Sequence, residues 1–109
     1  MKQILVGVNG YGVIGKRIAD AIRLQQDMDL IGVVDVAADY RIRTANVLGV
    51  PIFAADEGSR AAMLEQNIDV VGTMDDLLRQ VDVVIDCTPK RIAAANKTRY
   101  DEAGVKCIF

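Results

Sequence analysis

The chain has 109 residues, enough for one domain with a single buried core. Its 51% apolar content excludes a disordered chain, and no apolar run reaches the roughly 18 residues that span a membrane. A net charge of −2 gives no general attraction to nucleic acid or to an anionic membrane, so neither is an expected partner.

Residues 3–8 are rich in Ile, Leu and Val and meet a turn at Asn9-Gly10, which predicts a strand buried on both faces. From Val13 the period changes. Ile14, Ile18 and Ile22 recur along one side while Lys16, Arg17, Asp20 and Arg23 take the other, predicting a helix to about Gln26. Residues 27–29 read as a loop, and residues 30–36 as a second buried strand that closes at Asp35. Asp39 can cap a short helix with Ile42, Ala45 and Leu48 inward and Gly49 at its end. Pro51 demotes residues 50–54 to an edge strand or an extended connector.

Asp56 can cap a helix over residues 57–66, whereas the short apolar run 68–71 fits several states. Thr73 and Asp76 have capping-box spacing, though Asp is short for the role, and Met74, Leu77, Leu78 and Val81 then form a helical stripe. Residues 83–87 predict another buried strand. Thr88 as cap and Pro89 at the first helical position open a last helix, marked by Ile92, Asn96, Arg99 or Tyr100, and Ala103, and stopped by Gly104. Residues 105–109 read as the start of a further buried strand. They finish on apolar side chains, so residues 1–109 are expected to be a domain cut from a longer protein. Alternating strands and helices predict an α/β fold: a three-layer, Rossmann-like, doubly wound and mainly parallel sheet with helices on both faces.

Gly10-Tyr11-Gly12-Val13-Ile14-Gly15 is a G-x-G-x-x-G placed directly after a predicted strand and opening a predicted helix, the context that gives the pattern its meaning. Gly10 permits the tight turn, Gly12 lets backbone approach a pyrophosphate, and Gly15 allows close packing of the helix. The amides near Val13 and Ile14 lie at the helix N-terminus, where unpaired N–H groups and the helix dipole favour an anion. Tyr11 can stack on a ligand or cover the turn, and cover is the simpler role. Asn9 can either tie the turn or contact cofactor.

Asp35 lies 20 residues beyond Gly15, where a carboxylate accepts from the ribose hydroxyls and repels a 2′-phosphate. NAD is the expected cofactor, with NADP left possible by the nearby Arg41 and Arg43. Asp86-Cys87-Thr88-Pro89 closes a strand at the end where ligands bind, so Cys87 and Thr88 are expected to line the crevice. There is no His, which excludes Ser-His-Asp and Cys-His catalysis and the commonest zinc ligand sets. Cys87 and Cys107 therefore read as small buried apolar residues. No catalytic and no metal-ligating residue is expected in this segment. The candidate cofactor-binding residues are Gly10, Tyr11, Gly12, Val13, Ile14, Gly15, Asp35, Thr88 and Pro89.

Asn9-Gly10-Tyr11-Gly12-Val13-Ile14-Gly15-Lys16-Arg17-Ile18-Ala19-Asp20-Ala21 resembles the opening of archaeal-type (type II) glyceraldehyde-3-phosphate dehydrogenase. So do Asp86-Cys87-Thr88-Pro89, Asn96-Lys97 and residues 100–109. The resemblance implies the N-terminal cofactor domain of a tetrameric cytoplasmic enzyme that uses NAD or NADP. That enzyme oxidises glyceraldehyde 3-phosphate, with phosphate, to 1,3-bisphosphoglycerate. It also implies cofactor contacts at Val13 and Ile14 and a groove along Thr88 and Pro89. The family's catalytic Cys lies in a Ser-Cys-Asn-Thr stretch that this chain lacks, so this segment alone is expected to be inactive. Many members carry Thr or Ser and then Lys after the second strand. Val34-Asp35 stands there here and favours NAD. The same opening also suits a dihydrodipicolinate-reductase-like or semialdehyde dehydrogenase enzyme, or a non-catalytic NAD(H)-sensing domain.

Overall fold

The computed structural model describes residues 3–109. The elements are β1 (Ile4–Asn9), α1 (Val13–Arg23), β2 (Met28–Asp35), α2 (Tyr40–Leu48), β3 (Ile52–Ala54), α3 (Glu57–Glu65), β4 (Val70–Thr73), α4 (Met74–Leu78), β5 (Val83–Asp86), α5 (Lys90–Ala103) and β6 (Lys106–Ile108). The six strands form one sheet in the order β4-β3-β2-β1-β5-β6, with every pairing parallel. The chain winds outward from β1 to β4, then returns to lay β5 against the other side of β1. Strand order therefore reverses between β1 and β5.

Side-chain alternation along the strands builds two cores. Val33, Ile52 and Ala54 face one layer with Ala19, Ile22, Ile42, Ala45 and Met63, which come from α1, α2 and α3. Val34 and Phe53 face the other with Met74, Leu77, Leu78 and Tyr100, from α4 and α5. Each fully buried Val, Leu, Ile, Phe or Met side chain contributes about 1.5–3 kcal/mol, and the doubly wound three-layer arrangement follows from covering both faces of the sheet.

Several boundaries differ from the sequence reading. Met28 and Asp29 belong to β2 and pair with Ile4 and Leu5, because the ladder uses backbone and the exposed Asp29 side chain does not disturb it. Helix α1 stops at Arg23 and buries Gly15, Ala19 and Ile22, which leaves Ile14 59% exposed. Ile22 is buried and Ile18 packs against the core, so the inward face departs from the Ile repeat only at its first member, where Gly15 sits against the turn. Leu48 is likewise exposed, while Ile42 and Ala45 are buried as expected. Strand β3 is interior, between β2 and β4. Pro51 lies just ahead of it and lacks only a donor; its carbonyl still accepts from the Val33 amide at 3.0 Å. The ambiguous run near residue 70 supplies β4, which is the true edge. The last strand, β6, is the opposite edge, so Ile108 and Phe109 are exposed where buried positions were expected.

The caps follow the sequence closely. Asp39 accepts from the Ile42 amide at 3.0 Å and Asp56 from the Ser59 amide at 2.7 Å. Asp76 reaches back to the Thr73 amide at 2.9 Å. Gly49 and Gly104 end their helices in the left-handed conformation, at φ 79° and 70°. Thr88 is the exception. Pro89, with φ −55° and ψ 148°, occupies the capping position of α5, and Thr88 turns its side chain back to Asp86.

Candidate functional site

The carboxyl ends of β1, β2 and β5 surround a cleft of about 430 Å³. Gly10, Tyr11, Gly12, Asp35, Thr88 and Pro89, six of the positions expected from sequence, line it. Val13, Ile14 and Gly15 do not line it; they begin α1 next to Gly12, with the side chains of Val13 and Ile14 exposed and Gly15 buried.

The three glycines of the turn have distinct surroundings. Gly10, at φ +92°, is clasped between strands: its amide donates to the Val34 carbonyl at 2.8 Å, and a Cβ there would stand 3.0 Å from the Thr88 nitrogen. A Cβ on Gly15 would overlap the Gly10 carbonyl oxygen, so this glycine packs helix start against turn. A Cβ on Gly12 would meet no atom within 4 Å. The space in front of Gly12 is thus open on the ligand side, at the N-cap of α1, where helix amides and dipole favour an anion.

Asp35 closes β2 and joins the turn directly. One carboxylate oxygen accepts from the Tyr11 amide at 3.0 Å and the other from the Val36 amide at 2.7 Å. Each oxygen keeps a lone pair for a further donor. Asp39 is the second charged group of the cleft wall, which carries no Lys or Arg among the described residues. The two arginines that follow β2 are engaged elsewhere. Arg41 stacks on the Tyr40 ring at 4.6 Å, and Arg43 donates to Gln66 at 2.7 Å.

Tyr11 is a covering residue. Its ring is fully buried in the core beneath α1, and its hydroxyl finds no hydrogen-bond partner among the described residues. Burial pushes its phenol pKa up, and Asp20 adds to this. Cys87 is half-buried, with its thiol pKa raised by burial and then by Asp86, which fits an inert residue.

A buried polar network that no apolar pattern in the sequence announces lies under the cleft. Asp86 is only 5% exposed. It accepts from the Thr88 amide at 2.9 Å, the Thr88 hydroxyl at 2.5 Å, the Asn96 side chain at 3.2 Å and the Tyr100 hydroxyl at 2.5 Å. Tyr100 in turn accepts from the Asn9 side chain at 2.8 Å, and Asn9 also lies 3.1 Å from the Met74 sulfur. Burying a carboxylate costs several kcal/mol, and hydrogen bonds to a charged group return about 1.5–3 kcal/mol each. Four such bonds account for Asp86 without a cation. A signal was present in α5: Asn96 and Tyr100 are polar residues four apart on the face that carries buried Ala93.

A parallel sheet whose order reverses at β1/β5, with a glycine turn feeding a helix N-terminus at that reversal, defines a dinucleotide-binding Rossmann domain. The family model described as "Homoserine dehydrogenase, NAD binding domain" matches residues 10–109, and the chain belongs to that family of NAD-binding domains. Among curated proteins it is 47% identical over 107 residues to glyceraldehyde-3-phosphate dehydrogenase of Pyrococcus abyssi, covering 98% of this chain and 32% of that one. The enzyme of the same name from Hyperthermus butylicus is 43% identical over all 109 residues, again with 32% of its length covered. The chain thus spans about a third of the curated relatives it matches. Among solved structures, scyllo-inositol dehydrogenase from Lactobacillus casei with bound NAD(H) and scyllo-inositol superposes with a TM-score of 0.70. The match has 22% identity and covers 97% of this chain and 27% of that one, a likeness of fold.

Proposed function

We propose that this chain binds NAD across the β1/β5 crevice as the cofactor domain of a phosphorylating glyceraldehyde-3-phosphate dehydrogenase. The observation that carries the reading is the 47% identity, over 107 residues, to an archaeal enzyme of that name. The geometry supports it: Gly12 leaves room for a pyrophosphate at the start of α1, and Asp35 offers lone pairs where the adenosine ribose would lie. NAD, when bound, supplies the acceptor for the hydride of the oxidised aldehyde. Gly10, Gly12 and the amides of Val13 and Ile14 cradle the pyrophosphate. Asp35 orients the ribose, and Thr88 and Pro89 border the opposite half. In this reading these residues bind and orient the cofactor and supply no nucleophile.

A cleft wall with two carboxylates and no base favours NAD over NADP, because a 2′-phosphate there meets negative charge without a counter-ion. For the whole protein the same reading gives glyceraldehyde 3-phosphate and phosphate as substrates and a cytoplasmic homo-tetramer. Among the described residues no helix is long and apolar enough to cross a membrane. Calorimetric titration with NAD and NADP, on the unaltered chain and on Asp35→Ser, tests the cofactor assignment. Tighter NAD binding, with the preference lost in the variant, is the expected result. Equal or tighter NADP binding by the unaltered chain would overturn the role given to Asp35.

A further inference from the structure

The hydrogen-bond directions around Asp86 fix the polarity of one wall of the cleft. A carboxylate only accepts, so each neighbour must spend a proton on it. The Thr88 hydroxyl therefore points its hydrogen at Asp86 and leaves its oxygen lone pairs for the cleft, which Thr88 lines. Asn96 does the same with an amide N–H, so its carbonyl oxygen remains the free end of that side chain, again at the cleft wall. Tyr100 donates to Asp86 and consequently accepts from Asn9, which locks its orientation from the far side. The relay crosses the β1/β5 reversal: Asn9 ends β1, Asp86 ends β5, and Asn96 and Tyr100 come from α5.

We infer that Asp86, oriented by Tyr100, is a positioning residue that presents Thr88 as a hydrogen-bond acceptor and so selects a donor group on the nicotinamide half of the cofactor. This rests on the dinucleotide reading given above. With the adenosine ribose at Asp35 and the pyrophosphate at Gly12, the remaining half of an NAD molecule extends toward β5, where Thr88 stands. Two groups on that half can donate: the carboxamide N–H and the hydroxyls of its ribose. A purely structural Asp86 would treat every ligand of the cleft alike. An acceptor aimed at the nicotinamide half discriminates between ligands that have that half and ligands that lack it.

The test is calorimetric titration of the chain and three variants with NAD, with ADP and with 3-acetylpyridine adenine dinucleotide. ADP lacks the nicotinamide half, and the acetylpyridine analogue has a methyl in place of the carboxamide nitrogen. Thr88→Val, which removes the acceptor at constant shape, is expected to weaken NAD about fivefold or more while ADP changes less than twofold, since one hydrogen bond is worth about 1 kcal/mol. Thr88→Ser is expected to restore NAD binding. Asp86→Ala, which removes the acceptor and so frees the Thr88 hydroxyl hydrogen, is expected to lose NAD affinity as Thr88→Val does. If the unaltered chain binds the acetylpyridine analogue about fivefold more weakly than NAD, and Thr88→Val abolishes that difference, the donor is the carboxamide. If the unaltered chain binds both equally while Thr88→Val weakens both, it is the ribose. Unchanged NAD affinity in Thr88→Val, or an equal loss for NAD and ADP, would overturn the inference while leaving the dinucleotide reading intact. Failure of the unaltered chain to bind either NAD or ADP would overturn both. Should Asp86→Ala not fold, the Val and Ser pair at Thr88 decides alone.

Discussion

Gly15 and Gly10 touch in a way that leaves no room for a methyl group: a Cβ on Gly15 would overlap the Gly10 carbonyl oxygen. Gly12, between them in sequence, faces open space. Gly15→Ala should therefore destabilise the fold, by about 3 kcal/mol, and lose cofactor binding with it. Gly12→Ala should leave the urea midpoint within experimental error of the unaltered chain, yet weaken NAD at least tenfold by obstructing the pyrophosphate. Denaturation and titration on the same two variants separate a packing glycine from a binding one.

Tyr11 carries a buried hydroxyl without a partner among the described residues. Such a group costs about 1–3 kcal/mol. Tyr11→Phe keeps the ring that seals the turn and removes the orphan oxygen. The variant is expected to be more stable by about 1 kcal/mol in urea unfolding, with NAD affinity unchanged because only the Tyr11 backbone faces the cleft. A loss of stability would mean that the hydroxyl does find a partner, such as a buried water.

The Tyr100 pKa is raised, chiefly by burial and then by its hydrogen bond to Asp86. A phenol is neutral when protonated, so the folded state holds this proton more tightly than the unfolded chain, whose tyrosines ionise near pH 10. Below about pH 10 both states are protonated and the contribution to stability is complete; above it, ionisation of the unfolded chain progressively removes it. Tyr11, raised in the same direction, adds to the slope. Stability measured from pH 9 to 11.5 should fall, and Tyr100→Phe should flatten that fall while lowering stability at pH 8.

Cys87 is expected to resist alkylation. Burial and the adjacent Asp86 both disfavour its thiolate. With Cys107 replaced by Ala, modification by iodoacetamide at pH 7.5 should run at least tenfold slower than for a free thiol, read by mass spectrometry. Reaction at the free-thiol rate would contradict the inert role.

The fold and the glycine turn that lines the cleft could be read from the sequence because both rest on local rules. The turn after β1 needs glycines at fixed offsets, and Asp39, Asp56 and Gly104 act within one helical turn of their own positions. What escaped depends on tertiary placement. Pro51 hinted at an edge, yet β3 is interior because a proline ahead of the strand withholds only its own amide. The Ile14, Ile18 and Ile22 repeat marked the inward face of α1 at Ile18 and Ile22 but not at Ile14, where contact of Gly15 with the turn sets the start of the helix. The Asp86 network joins residues 9, 86, 96 and 100, a meeting that only the closed sheet brings about.

The seam between β1 and β5 joins Val6 to Val83, whereas β1 and β2 pair Val6 with Leu30. Loop-closure entropy and topology make the more distant pairing the later one to form. The wing from β1 to β4 can assemble from near neighbours, and β5 docks afterwards onto a strand already in place. The cleft straddles that late junction, so a bound dinucleotide acts as a clasp across the two stages of assembly. Backbone amides of β5 should accordingly exchange with deuterium faster than those of β2 in the free chain, and NAD should slow β5 the more.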